Sequence, residues 1–259
     1  MKLKMKLMAA ALALAASAGA HAAITTGSNG DGELFFSIWD ANGSYTRSLE
    51  TSISSFESQL GATGNLALSW TADTTFSSFL AGTAGGTRSG APLKWNILAN
   101  DTMGANRVLT TYTAPEPTTT KTNDVMRTAS AKVTDFLNAV NPVLVGDSVA
   151  VDSGSSAWAG KAAFKDTIGG YLNFSNAGTL ANNSYENGLG FMRINAAATG
   201  TLPSVYNEYL EGTTAVNAYL DASNTLHIAA IPEPSEYALM LAGLGMLGFM
   251  ARRRLNNRA

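Results

Sequence analysis

Gly32-Glu33-Leu34-Phe35-Phe36-Ser37-Ile38-Trp39 decides the fold class. Alternate side chains of an extended chain point to opposite faces, so Leu34, Phe36 and Ile38 share one face while Phe35 and Trp39 share the other. Both faces are apolar, and a strand of this kind is buried on both sides. Working outward, shorter stretches of the same character cover Leu66 to Trp70, Leu93 to Leu98, Arg107 to Thr113, Asp147 to Val151 and Leu189 to Asn195. Gly, Asn, Ser, Thr and Asp punctuate them, as expected of turns between strands. Near the end of the body, Val216, Ala218 and Leu220 alternate with Asn217, Tyr219 and Asp221, and after Ala222-Ser223-Asn224, Leu226, Ile228 and Ala230 alternate with Thr225, His227 and Ala229. This pattern predicts a hairpin, whose Thr225 to Ala230 edge either pairs with another chain or is covered internally.

One helix is expected. Val125, Met126, Ala129, Val133, Phe136, Leu137 and Val140 recur at helical spacing, with Asn123 as a cap and Asn141-Pro142 as a stop. Thr113 to Thr122 reads as a polar crossover, with a division near residue 118 as an alternative. The expected architecture is mainly β: an antiparallel β-sandwich-like body over residues 23–230 with one packed helix. No fixed-period repeat of the solenoid or propeller type is present.

Both ends of the chain carry signals of another kind. Lys2, Lys4 and Lys6 precede an Ala- and Leu-rich run from Leu7 to Ala18, and Ala20-His21-Ala22 supplies small residues before a cut after Ala22. Residues 1–22 therefore read as a secretory signal peptide for Sec-type export, the apolar run being shorter than the ~20 residues that span a bilayer. At the other end, Pro232-Glu233-Pro234 is a stiff extended tripeptide. Tyr237 to Ala251 is uncharged, a predicted transmembrane helix weakened by Gly243, Gly245 and Gly248. Arg252, Arg253 and Arg254 orient it with the tail 255–259 in the cytoplasm. A permanent anchor is the competing interpretation of the same residues.

Pro232-Glu233-Pro234-Ser235, the apolar Leu- and Gly-rich span and the closing arginines, in that order over residues 231–254, resemble the PEP-CTERM protein-sorting signal of Gram-negative bacteria. The resemblance implies processing by an exosortase near Pro232, Glu233 and Pro234, transient residence in the inner membrane, and a destination at the cell surface or in the extracellular polysaccharide matrix. Pro115-Glu116-Pro117 lacks the apolar span and reads as a linker turn.

The whole chain has a net charge of −2, but the terminal signals hold seven of its 17 Lys and Arg and two of its 19 Asp and Glu. The body is therefore near −7, the wrong sign for nucleic acid. Without cysteine it has no disulfide, thiolate metal site or cysteine nucleophile. His227 is the only histidine after residue 22, and no G-x-S-x-G sequence accompanies it. It reads as an ordinary strand residue. No metal or cofactor site is expected. Asn29-Gly30-Asp31-Gly32-Glu33 offers oxygen ligands that could bind calcium but lacks the full EF-hand spacing, and reads more simply as a turn before the first strand; Gly82 to Gly86 lacks the setting of a phosphate loop. Trp39, Trp70 and Trp95 lie in strand-like contexts and are assigned to the core. Trp158, in a loop of small residues, is the candidate ligand contact. The sequence is interpreted as a non-enzymatic exported protein; a secreted carbohydrate-binding module and a carboxylate glycoside hydrolase are the alternatives.

Overall fold

The opening segment forms β1 (Glu33–Trp39), and its alternate side chains enter two separate cores. Leu34, Phe36 and Ile38 pack with Trp95, Ile97 and Phe191 on one face, while Phe35 and Trp39 pack with Leu98, Val108 and Met192 on the other. The computed structural model describes residues 23–61, 66–103, 106–196, 199–230 and 241–247. The signal peptide expected over 1–22, the tripeptide Pro232-Glu233-Pro234 and the arginines 252–254 lie outside them.

β1 sits between β2 (Gly43–Ser52) and β4 (Lys94–Asp101), antiparallel to both, with Ile38 opposite Tyr45 and Trp95. The sheet continues past β4 through β5 (Arg107–Tyr112), β8 (Leu189–Asn195), β12 (Asn217–Leu220), β13 (Leu226–Ala229) and β3 (Ala67–Trp70), and past β2 to β6 (Ser148–Asp152). Two short strands complete it, β7 (Gly178–Thr179) on β4 and β9 (Val205–Glu208) on β8. β10 (Leu210–Glu211) and β11 (Thr214–Ala215) form a separate ribbon.

Seven steps separate β3 from β2 in this order, which in a flat sheet at ~4.8 Å per step would be ~34 Å. Yet the Trp70 indole Nε1 donates to the Leu49 carbonyl at 3.2 Å, and the Arg47 guanidinium donates to the Thr71 carbonyl at 2.6 Å. The sheet is therefore curled, with the Leu34–Phe36–Ile38 face inside. Two short helices fill the curl: α1 (Ile53–Gln59), capped by Ser52, brings Phe56, and α2 (Thr74–Leu80), capped by Asp73, brings Phe76 and Phe79. The outer face is covered by α3 (Asn123–Val140), which buries Met126, Ala129, Val133, Phe136, Leu137 and Val140, and by the segment 153–177.

Three expectations need correction. The body is one curled antiparallel sheet, not two sheets packed as a sandwich; alternation shows that both faces are buried, but helices and a loop do the covering. The described body contains three α-helices, not one. Asn123 is the first residue inside α3 rather than its cap, and its buried amide donates to the Thr199 carbonyl at 2.6 Å. Of the two alternatives for the Thr225 to Ala230 edge, the structure shows internal covering: β3 pairs along β13 from Ala67–Ala229 to Trp70–Leu226.

The Ala230 N–H continues this pairing to the Leu66 carbonyl at 2.9 Å, and Ala230 is 1% exposed. Thr113 to Thr122 links β5 to α3, with strands of the same sheet on either side of residue 118. No helix among the described residues is long and apolar enough to cross a membrane. Of the transmembrane helix expected over 237–251, only residues 241–247 are described. They are helical and exposed, and seven residues make only ~10 Å of helix.

Candidate functional site

Where β1 ends, Asp40 folds the chain back into β2. Its Oδ1 accepts from the Asn42 N–H at 2.9 Å and the Gly43 N–H at 3.0 Å, and its Oδ2 accepts from the Ser89 N–H at 2.9 Å. The Arg88 guanidinium lies 3.5 Å away. Burial by itself would raise the Asp40 pKa, but these N–H groups and Arg88 outweigh it and hold the carboxyl below its ordinary value. On acidification the unfolded chain therefore takes up this proton first. The stabilisation is complete above the ordinary carboxylate pKa near 3.8 and is lost as pH falls through the lower folded value. We expect Asp40→Asn to flatten the acid limb of stability below about pH 4 in a urea-denaturation series.

Asp40 also anchors the residue flagged in the sequence. The Trp158 indole Nε1 donates to the Asp40 carbonyl at 3.2 Å, and the next residue, Ala159, donates its N–H to Ser44 Oγ at 3.0 Å. Gly160 approaches the indole so closely that a Cβ there would lie 2.4 Å from Cζ2. Trp158 is thus half-buried and fixed against β1 and β2. Beyond it, Phe164 stacks on Phe136 of α3 with ring centroids 3.8 Å apart. Ile168, fully buried, has φ of 44°, a left-handed conformation that a β-branched residue rarely takes. Asp166 is held by its carbonyl, which accepts from the Asn176 N–H at 3.0 Å, and by its carboxylate, which accepts from Lys94 Nζ at 2.5 Å.

An open cleft of about 350 Å³ is lined by Trp39, Asp40, Pro92, Lys94, Trp158, Gly160, Lys165 and Asp166. Trp39 and Trp95 are core residues as expected, and Trp39 also reaches the cleft wall; Trp70 is half-exposed at the sheet edge. Lys94, Lys165 and Asp166 were not distinguishable in the sequence. Lys94 meets the cleft only because β4 places it opposite Trp39.

A second cluster ties the far end of the sheet together. Glu57 of α1 accepts from Arg107 at 2.5 Å, from Arg193 at 3.1 Å and from the Tyr209 hydroxyl at 2.7 Å. Arg107 also lies 3.5 Å from Asp101 and 3.8 Å from Asp31. Burial, then the Glu57 carboxylate, push the Tyr209 hydroxyl pKa well up. Nearby, Glu208 accepts from the Tyr112 hydroxyl at 2.5 Å, and there too burial and the carboxylate raise the tyrosine. Glu57 and Glu208 border one cleft of about 340 Å³.

His227 stacks on Tyr219 at 4.7 Å between ring centroids, and its Nε2 lies 3.0 Å from Asp221 Oδ2. Ser223 Oγ donates to the other oxygen of that carboxylate, which also accepts the Ser223 and Thr225 N–H groups. The group braces the β12–β13 turn. In the 27–33 turn, Asp31 accepts the Ser54 N–H and Glu33 the Thr25 N–H. Among the described residues no group of three or more His, Asp or Glu is placed to hold a metal.

The sheet closes at Ala230, and from that residue on the chain matches a family model, that of the PEP-CTERM protein-sorting motif, over residues 230–254. The chain carries a PEP-CTERM sorting motif. No curated protein and no solved structure matches it. The PEP-CTERM match contains Pro232, Glu233 and Pro234, the apolar span and Arg252 to Arg254. A PEP-CTERM motif implies export and exosortase-type processing.

Proposed function

We propose that this chain is a non-enzymatic exported protein, delivered by an exosortase-type system to the cell surface or the extracellular polysaccharide matrix. The observation that carries this reading is the position of the PEP-CTERM motif, which begins at the last residue pinned into the sheet. In this reading residues 1–22, cut after Ala22, direct Sec-type export. Pro232, Glu233 and Pro234 present the processing site, and Arg252 to Arg254 hold the tail on the cytoplasmic side during a transient stay in the inner membrane.

The test is intact mass and cell fractionation of a chain carrying an epitope tag in the exposed Gly212 turn, in hosts with and without exosortase. The expected mature form lacks both ends, lies outside the inner membrane, and disappears when exosortase is deleted. An uncut chain in the inner membrane of both hosts would overturn the sorting reading. Release of reducing ends from the host's polysaccharide by the purified chain would overturn the non-enzymatic part.

A further inference from the structure

We infer that the cleft between Trp39 and Trp158 binds an acidic saccharide, a sugar chain carrying uronate carboxylates. Three observations converge on it. The first is an aromatic wall that is immobilised and, at Trp158, only half-buried. Trp158 is fixed by its bond to the Asp40 carbonyl, and any side chain at residue 160 would overlie the indole within the cleft. A fixed indole offers an apolar, electron-rich surface on which the C–H face of a sugar ring can lie. The cleft volume of about 350 Å³ suits a short stretch of such a chain.

The second is charge. Asp40 is paired with Arg88 at 3.5 Å and Asp166 with Lys94 at 2.5 Å. Of the charges lining the cleft, that leaves Lys165. Lys165 is exposed and forms no ion pair among the described residues. Its ammonium is placed to receive a carboxylate, while Asp166 and Lys94 supply an acceptor and a donor for ring hydroxyls. A neutral sugar would leave the Lys165 charge unused.

The third is the construction of the loop. The connection from Asp152 to Gly178 contains no helix or strand, far beyond the usual length of such connections, and long ordered loops are commonly functional. It is fastened to the outer core by Phe164, Ile168 and Leu172, and the strained Ile168 lies just after Lys165 and Asp166. Strain kept in a buried residue next to a cleft marks a conformation held for its geometry. The inference deepens the surface-matrix reading, on which it rests for where such a polymer would be met.

The test uses the full chain purified in detergent, with tryptophan fluorescence and calorimetry reporting titrations of trigalacturonate and of maltotriose. Trigalacturonate is expected to bind saturably, more weakly as salt is raised, and maltotriose about tenfold more weakly or not at all. Trp158→Ala and the exposed-site variant Lys165→Gln are each expected to reduce trigalacturonate affinity about tenfold or more. Lys165→Gln should melt like the parent, so its loss cannot be attributed to unfolding. No saturable trigalacturonate binding, equal affinity for maltotriose, or undiminished affinity in Lys165→Gln would overturn the proposal. Because the titration needs no export or processing, failure of the sorting reading would leave its result unchanged.

Discussion

Glu57→Ala should lower the melting midpoint of the chain by on the order of 10 °C. The carboxylate is the common acceptor of Arg107, Arg193 and Tyr209, and the Arg107 side chain is only 13% exposed. Removing Glu57 leaves two guanidiniums and a buried hydroxyl short of their partner at once. Breaking a buried pair from one side costs roughly 3–5 kcal/mol, and the partial exposure of this one places it near ~3 kcal/mol. For a body of this size each kcal/mol moves the midpoint by ~2–4 °C. A thermal melt followed by circular dichroism reads the effect. The double variant Glu57→Ala with Arg107→Ala should lose less than the sum of the two single variants, because the orphaned charge is removed with its partner. Strict additivity would mean that the cluster is solvated surface and no clasp.

Phe35→Ala and Phe36→Ala should each destabilise the body by roughly 3–5 kcal/mol, although the two residues are adjacent and point in opposite directions. Phe35 packs on Phe136 and Phe164 outside the sheet, with centroids 5.9 and 6.3 Å away. Phe36 packs on Phe76 and Trp95 inside the curl, at 5.8 and 6.0 Å. In a sheet with one solvated face, one of the two variants would be nearly silent. Urea unfolding of both variants distinguishes the cases, and a cost below ~1 kcal/mol in either would refute the two-core arrangement.

Much of this arrangement could be read from side-chain pattern. Opening strand, α3 stripe, β8 and the final hairpin were all legible because large apolar residues recur there with a clear period. β2 was not legible. Its outward face is Ser44, Thr46 and Ser48, all buried, and buried hydroxyls look like a solvated face in sequence. They are tolerated because they have partners: Thr46 meets Ser37 at 3.1 Å, and Ser44 accepts from the Ala159 N–H. α1 and α2 escaped for a different reason. Each has seven residues, rich in Ser or Thr, too short for periodicity to show, and their phenylalanines matter only once the sheet curls around them.

The cleft was half legible. A tryptophan in a run of small residues marked one wall, but Trp39, Lys94 and Asp166 come from β1, β4 and the 153–177 loop. Only strand pairing and the loop's burial bring them together, and neither is a local property. The curl is bridged by side-chain bonds from Trp70 and Arg47 to carbonyls across the opening, contacts that no spacing in the sequence encodes.

Among the described residues, Ala230 is the one shared by the address and the cargo. It closes the inner core and it opens the matched sorting motif, while the described residues of that motif beyond it, 241–247, are exposed. The two messages are thus written end to end with almost no overlap. Removing the motif anywhere beyond residue 231 takes no core side chain from the described residues, so processing there would leave both faces of the sheet covered as they are in the full chain.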